Sequence, residues 1–79
     1  FPATIEIKGV DRLGVMCDVI RTITEEHGMN ISRLTVDAKD GIFEGFITIY
    51  VHDVEDVNNL CVSLMKIQSI NSVNRVEHV

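Results

Sequence analysis

Ala3, Ile5 and Ile7 alternate with Thr4, Glu6 and Lys8, and this period of two predicts a half-buried strand over residues 3–9. The period then changes. Met16, Val19, Ile20 and Ile23 recur at spacings of three and four, which makes one apolar stripe on a helix. Asp11 is placed to cap its start. His27-Gly28 closes it, because Gly28 can adopt the left-handed conformation of a C′ residue, and His27 is placed to assist the terminus. A second strand is expected from Asn30, with Ser32, Leu34, Val36 and Ala38 inward and Arg33, Thr35 and Asp37 outward. Asp40-Gly41 is a hairpin signal. A third strand over 42–52 sets Phe43, Gly45, Ile47, Ile49 and Val51 on one face and Glu44, Phe46, Thr48, Tyr50 and His52 on the other. Asp53, with Asp56 three residues on, predicts a capped second helix. Its stripe is Val57, Leu60, Cys61, Leu64 and Ile67. After a turn over 68–72, a last strand is expected over 73–79. Val73 and Val76 fall on opposite faces there, so a bulge or an edge position is expected.

The order is β-α-β-β-α-β. Two helices with one apolar stripe each can cover only one face of a four-stranded antiparallel sheet. The expected fold class is α+β, a ferredoxin-like βαββαβ sandwich, with residues 1–79 as one domain. The other sheet face then has no helix of its own, and the aromatics Phe46 and Tyr50 stand on it. They are either ordinary surface or a docking patch for another domain. Edge strands carry unpaired backbone groups that a protein must blunt or pair. A chain of 79 residues buries a modest share of its surface. Side-by-side pairing of two copies into one continuous sheet, a homodimer, solves both problems.

Composition narrows the function. Twelve acids against seven bases leave a net charge of −5 with no basic stripe, which argues against direct nucleic-acid binding as the main role. No apolar run approaches the about 20 residues of a membrane span, and no secretory signal is visible. The chain begins at Phe1-Pro2, so a piece of a longer protein is expected, whose service the domain performs. Cys17 and Cys61 lie far apart in apolar helical runs. They read as two small buried thiols in a reducing cytosol rather than as a disulfide. His27, His52 and His78 are scattered, and no set of metal ligands at workable spacing is seen. No cofactor is expected.

Gly9 and Gly14 have the G-x-x-x-x-G spacing of a phosphate-binding loop. Val15 and Met16 stand where that loop needs Lys and then Ser or Thr, so nucleotide binding fails on chemistry. Ser32, Ser63, Ser69 and Ser72 lie near no expected His–Asp pair. With no catalytic constellation, a binding or regulatory module is the better reading, not an enzyme. The 9–14 loop remains. Amides at a helix start attract an anion, and the Asp11 carboxylate attracts a cation. Together they would suit a zwitterion, its carboxylate near Leu13–Val15 and its ammonium near Asp11. Alternatively, Asp11 only caps and the glycines only turn.

"GVDRLGVMCDV", then "HGMNISRL", then "IQSINSVNRVE" together resemble an ACT domain across essentially the whole chain. ACT domains regulate enzymes, often of amino-acid metabolism, pair into extended sheets and bind small effectors at their interfaces. The resemblance implies an effector site, commonly for an amino acid, at Val10, Asp11, Arg12, Leu13 and Gly14, with Asn30 and Ile31 facing the same pocket. Asp11 stands where such loops often carry Asn. Among ACT domains, "KGVDRLGVMCDVIRTIT" and "INSVNRVE" look most like the C-terminal domain of the RelA/SpoT homologues, the bifunctional GTP pyrophosphokinase/ppGpp hydrolases of the stringent response. That likeness implies a cytoplasmic parent in which the domain sets the balance of two activities, through effector binding, domain contacts or ribosome contact. Alternatives are the effector domain of an amino-acid biosynthetic enzyme and a ligand-free interaction module. Acylphosphatase-like catalysis would need an Arg with a positioned Asn, of which Arg12 supplies only part.

Overall fold

The computed structural model describes residues 1–76. The strands are β1 (Pro2–Val10), β2 (Asn30–Lys39), β3 (Ile42–Tyr50) and β4 (Ile70–Val76), and the helices are α1 (Val15–Arg21) and α2 (Val54–Met65). They form one antiparallel sheet in the order β2-β3-β1-β4. Each β-α-β unit therefore skips one strand, and the two units interleave. The expected sandwich is the observed one.

The core lies between one sheet face and the helices. Ile5 and Ile7 of β1 and Phe43, Ile47 and Ile49 of β3 pack with Val15, Val19 and Ile23 on one side and Val57, Leu60 and Leu64 on the other. The β3 alternation is as expected, Phe43, Gly45, Ile47 and Ile49 being buried. Asp53 and Asp56 form the expected capping box. Each carboxylate accepts from the other residue's backbone N–H, at 3.1 Å and 3.3 Å.

Four expectations are corrected. The α1 stripe is rotated: Val15, Val19, Thr22 and Ile23 are buried, Met16 and Ile20 only half-buried, and Cys17 faces solvent. Cys61 is half-buried, as the stripe implied, and burial pushes its thiol pKa up while Arg75 opposes the shift. Asp11 does not cap α1; Gly14 does, at φ +86°, with no side-chain cap bond. The His27 side chain does not serve its own helix end, which only the residue's backbone closes, but bonds Ser63 of α2, Nε2 to Oγ at 2.9 Å. Finally, the register shifts between Ile31 and Arg33, so Ser32 leaves the inner row and Ile31 joins it.

The helix closes through a π-type turn, Thr22–Glu26, with the His27 amide donating to Thr22 O at 3.2 Å. Gly28 then takes φ +63°, as expected, and the Met29 amide reaches Ile23 O at 3.0 Å. β4 begins at Ile70, three residues before the expected Val73. The irregularity foreseen for this strand appears where its pairing with β1 shifts between Lys8 and Gly9. The end of the expected strand, 77–79, lies outside the described residues.

Candidate effector loop and its surroundings

The 10–14 loop is tied at its base to two other turns. The Val10 amide donates to Ser69 O at 2.8 Å, and the Asp11 amide to Gly41 O at 2.8 Å. Beyond Asp11 the backbone swings free. Leu13 is 100% exposed, and Asp11 and Gly14 are exposed too. The Val15 amide is occupied by Arg12 O at 3.2 Å. Of the three amides expected to meet a ligand carboxylate, Leu13–Val15, this leaves those of Leu13 and Gly14. A shallow cleft of about 390 Å³ runs along Asp11–Cys17.

The expected site residues divide into three groups. Asp11, Leu13 and Gly14 line this cleft together. Val10 does not, because it follows Gly9 on a strand whose odd residues are buried, so its half-exposed side chain lies toward the bare sheet face with its partner Ile42. Arg12 lines the cleft but its guanidinium is engaged within the chain. It donates to Ser69 Oγ (2.9 Å), Asp18 Oδ2 (2.9 Å), Gln68 O (3.0 Å) and Leu13 O (3.3 Å). It is a clasp joining the loop to α1 and to the turn before β4.

Asn30 and Ile31 are at the far end of the sheet. Val10 pairs with Ile42 and Asn30 with Tyr50, so eight residues of β3, about 27 Å at 3.4 Å per residue, separate them. Within one chain they do not share a pocket with the loop. They do open an exposed edge. Along β2, Leu34 and Val36 align with the buried Ile47 and Gly45, yet are 37% and 39% exposed. They belong to the core face of the sheet at a position that neither helix covers.

The bare face is a polar ladder with an aromatic column. Phe46 and Tyr50 are 41% and 54% exposed there. Thr4 and Thr48 share a hydrogen bond of 2.9 Å across β1 and β3. Lys8 Nζ lies 3.6 Å from Glu44 and 3.9 Å from Glu6. Hydrogen bonding with the Glu44 carboxyl, then desolvation, holds the Glu6 carboxyl above the usual carboxylate range, with Lys8 opposing.

A second cleft, of about 510 Å³, lies on the helix side, behind Arg12, between the end of α1 and the 66–69 turn. Nothing in the hydrophobic pattern pointed to it, because the π-type turn that shapes one wall has no sequence signature. Among the described residues, no three or more His, Cys, Asp or Glu side chains gather as a metal site. No helix there is long and apolar enough to cross a membrane.

A β-α-β-β-α-β sandwich with one naked sheet face and an exposed first strand–helix loop defines a small ferredoxin-like α+β domain. Residues 1–75 match the ACT domain family, and the chain belongs to it. The crystal structure of the ACT domain from GTP pyrophosphokinase of Chlorobium tepidum is 32% identical, with 96% of this chain and 97% of that one covered and a TM-score of 0.86. The solution structure of that domain gives 30% identity, 100% and 89% coverage and a TM-score of 0.88. The acetolactate synthase small subunit from Thermotoga maritima shares the fold at 18% identity, with 100% and 49% coverage and a TM-score of 0.84. No curated protein gave a match. ACT domains are regulatory rather than catalytic.

Proposed function

We propose that this chain is the effector-sensing ACT domain of a cytoplasmic (p)ppGpp synthetase/hydrolase, and that it biases the balance of the two activities by binding an amino acid. The observation that carries the reading is the end-to-end likeness to the GTP pyrophosphokinase ACT domain. It coincides with a loop whose carboxylate (Asp11) and peptide amides (Leu13, Gly14) stand exposed in one cleft.

The distant Asn30-Ile31 step enters through a second copy. β2 is an exposed edge strand of ten residues. If two β2 strands pair antiparallel about a two-fold axis, the sheet becomes continuous and all helices lie on one side. Asn30 of one copy then comes to the end of the sheet where the other copy has Lys39 and, across β3, its own Val10–Gly14 loop. Leu34 and Val36 of both copies lose water contact at that seam, which favours the pairing. An effector held between the loop of one copy and the Asn30 end of the other binds the dimer better than the monomer. It thereby shifts the equilibrium of whatever is attached. Phe46 and Tyr50, on the opposite face, suit contact with other domains of the parent enzyme.

The test is a titration of the ¹⁵N-labelled chain with each of the twenty amino acids, with sedimentation velocity alongside. Joint shifts at Leu13, Gly14, Asn30 and Ile31, strengthening as the dimer forms, are expected. A flat titration of a monomer would overturn effector sensing. It would leave a ligand-free interaction module, acting through Phe46 and Tyr50, as the better account.

A further inference from the structure

We infer that the cleft behind Arg12 is a second ligand site, separate from the effector loop, for a small zwitterion carrying an aliphatic group. Arg12 and Asp18 form its wall and satisfy each other at 2.9 Å. The two charges left facing the cleft are Arg21 and Glu26. Arg21 lies 4.0 Å from Asp18, the longest of the ion pairs among the described residues, and is well exposed. Glu26 has no ion-pair partner among the described residues.

Two features make this arrangement more than a solvated helix end. Residues five apart on a regular α-helix point about 140° from each other, at 3.6 residues per turn. Arg21 and Glu26 nevertheless border one cleft, because Thr22–Glu26 is a π-type turn, whose i→i+5 bonding stacks residues five apart. Glu26 also sits at the C-terminal end of the helical segment, where the backbone dipole is negative and a carboxylate is disfavoured. A cation supplied from outside would relieve that repulsion. Arg21 offers a fork of N–H donors to a carboxylate. Half-buried Ile67 and buried Thr22, whose hydroxyl donates to Asp18 O at 2.9 Å, complete the lining and add apolar surface. The cleft volume lies in the range of small-molecule sites.

Arg12 borders both clefts, but Arg21, Glu26 and Ile67, on which this inference rests, are not used by the effector-loop reading, so the two can fail separately. The experiment follows backbone amide shifts of the labelled chain on addition of L-leucine, N-acetyl-L-leucine and L-leucinamide, the last two each lacking one charge. Leucine is expected to shift Arg21, Thr22, Glu26 and Gln68 with saturation in the millimolar range. Each charge-deficient analogue should bind at least about tenfold more weakly, the loss of one charge-assisted hydrogen bond. Arg21→Gln and Glu26→Gln should each weaken leucine by a similar factor while leaving any shifts at Leu13, Gly14 and Asn30 in place. Absence of cleft shifts at about 50 mM leucine, far above the millimolar range expected of a metabolic sensor, would overturn the second site, as would equal binding by the analogues. It would not touch the loop site. Cleft shifts without loop shifts would instead remove the effector loop and keep this inference.

Discussion

Arg12 and Ser69, 57 positions apart, meet at 2.9 Å, guanidinium Nε to hydroxyl Oγ. Ser69 holds φ +86°, a conformation that costs a non-glycine residue about 1–2 kcal/mol. The same turn gives its carbonyl to Val10 and its neighbour's carbonyl, Gln68 O, to Arg12. The turn leading into β4 is therefore held by the loop that follows β1. Arg12→Ala should cost about 1–2 kcal/mol, since the bonds are partly exposed and their net worth is small. Thermal unfolding should move down by about 4–16 °C. Arg12→Lys keeps the charge but loses the fork, and should recover less than half of that loss. An unchanged melting point in Arg12→Ala would show that the turn does not depend on the clasp.

Gly9 provides a second lock on the same turn. A Cβ at this position would stand 2.2 Å from Ser69 O and 3.0 Å from the Phe43 ring. Backbone and core must both move to admit it. Gly9→Ala should destabilise by about 3 kcal/mol or more, close to the limit a domain of this size tolerates. Gly28→Ala is the control. Its φ is positive, at +63°, which Gly9's is not, but nothing lies within 4 Å of the added atom. Its cost should stay near 1–2 kcal/mol. Urea melts of the two variants give the comparison, and equal midpoints would refute the steric account.

Asp53→Ala removes the side chain that accepts from the Asp56 amide at 3.1 Å. The loss should be about 1 kcal/mol, seen as a fall of about 4–8 °C in the melting point, whereas Asp53→Asn should be close to neutral. This cap was legible in the sequence, because Asp53 and Asp56 are local to the helix they serve. So was the β3 face, where Phe43, Ile47 and Ile49 alternate without interruption. Nonlocal features were not. Asp11 looks like a cap, yet the chain turns at Gly14 instead, because Asp11 and Arg12 are drawn to Gly41 and to Ser69. Leu34 and Val36 have the period of inward residues and do face the core side, but only the strand order reveals that β2 is an uncovered edge. The separation of Asn30 from the loop follows from register alone, and no periodicity encodes register between strands this far apart in sequence.

The bare sheet face should report pH through Glu6. Its carboxyl pKa is raised above the usual 4.5, chiefly by the hydrogen bond with Glu44. The folded state therefore holds its proton more tightly than the unfolded chain does. That contribution to stability is fully present below about pH 4.5 and fades as pH rises through the folded-state value. Glu6→Gln should flatten the dependence in that window, and Lys8→Met should widen it by removing the opposing charge. Carboxyl ¹³C titration checks this directly: a Glu6 midpoint at or below 4.5 would dispose of the pH dependence.

A site assembled from two copies makes a prediction that a one-chain site cannot. Asp11→Ala should remove the cationic contact for the effector ammonium at the loop. Asn30→Ala should remove the contribution made from the other end of the sheet, about 27 Å away in the same chain by strand rise. Each variant alone should bind the effector at least about tenfold more weakly, a loss of about 1.4 kcal/mol. In a mixture of the two, a heterodimer has one site with both lesions and one with neither. Binding should therefore reappear in the mixture, at near wild-type affinity but reduced capacity, once subunits have exchanged. Calorimetry before and after exchange reads both quantities. If each variant is defective and the mixture stays defective, the Asn30 end does not reach the loop of a second copy. The antiparallel β2 seam would then give way to an interface built on the Phe46 and Tyr50 face.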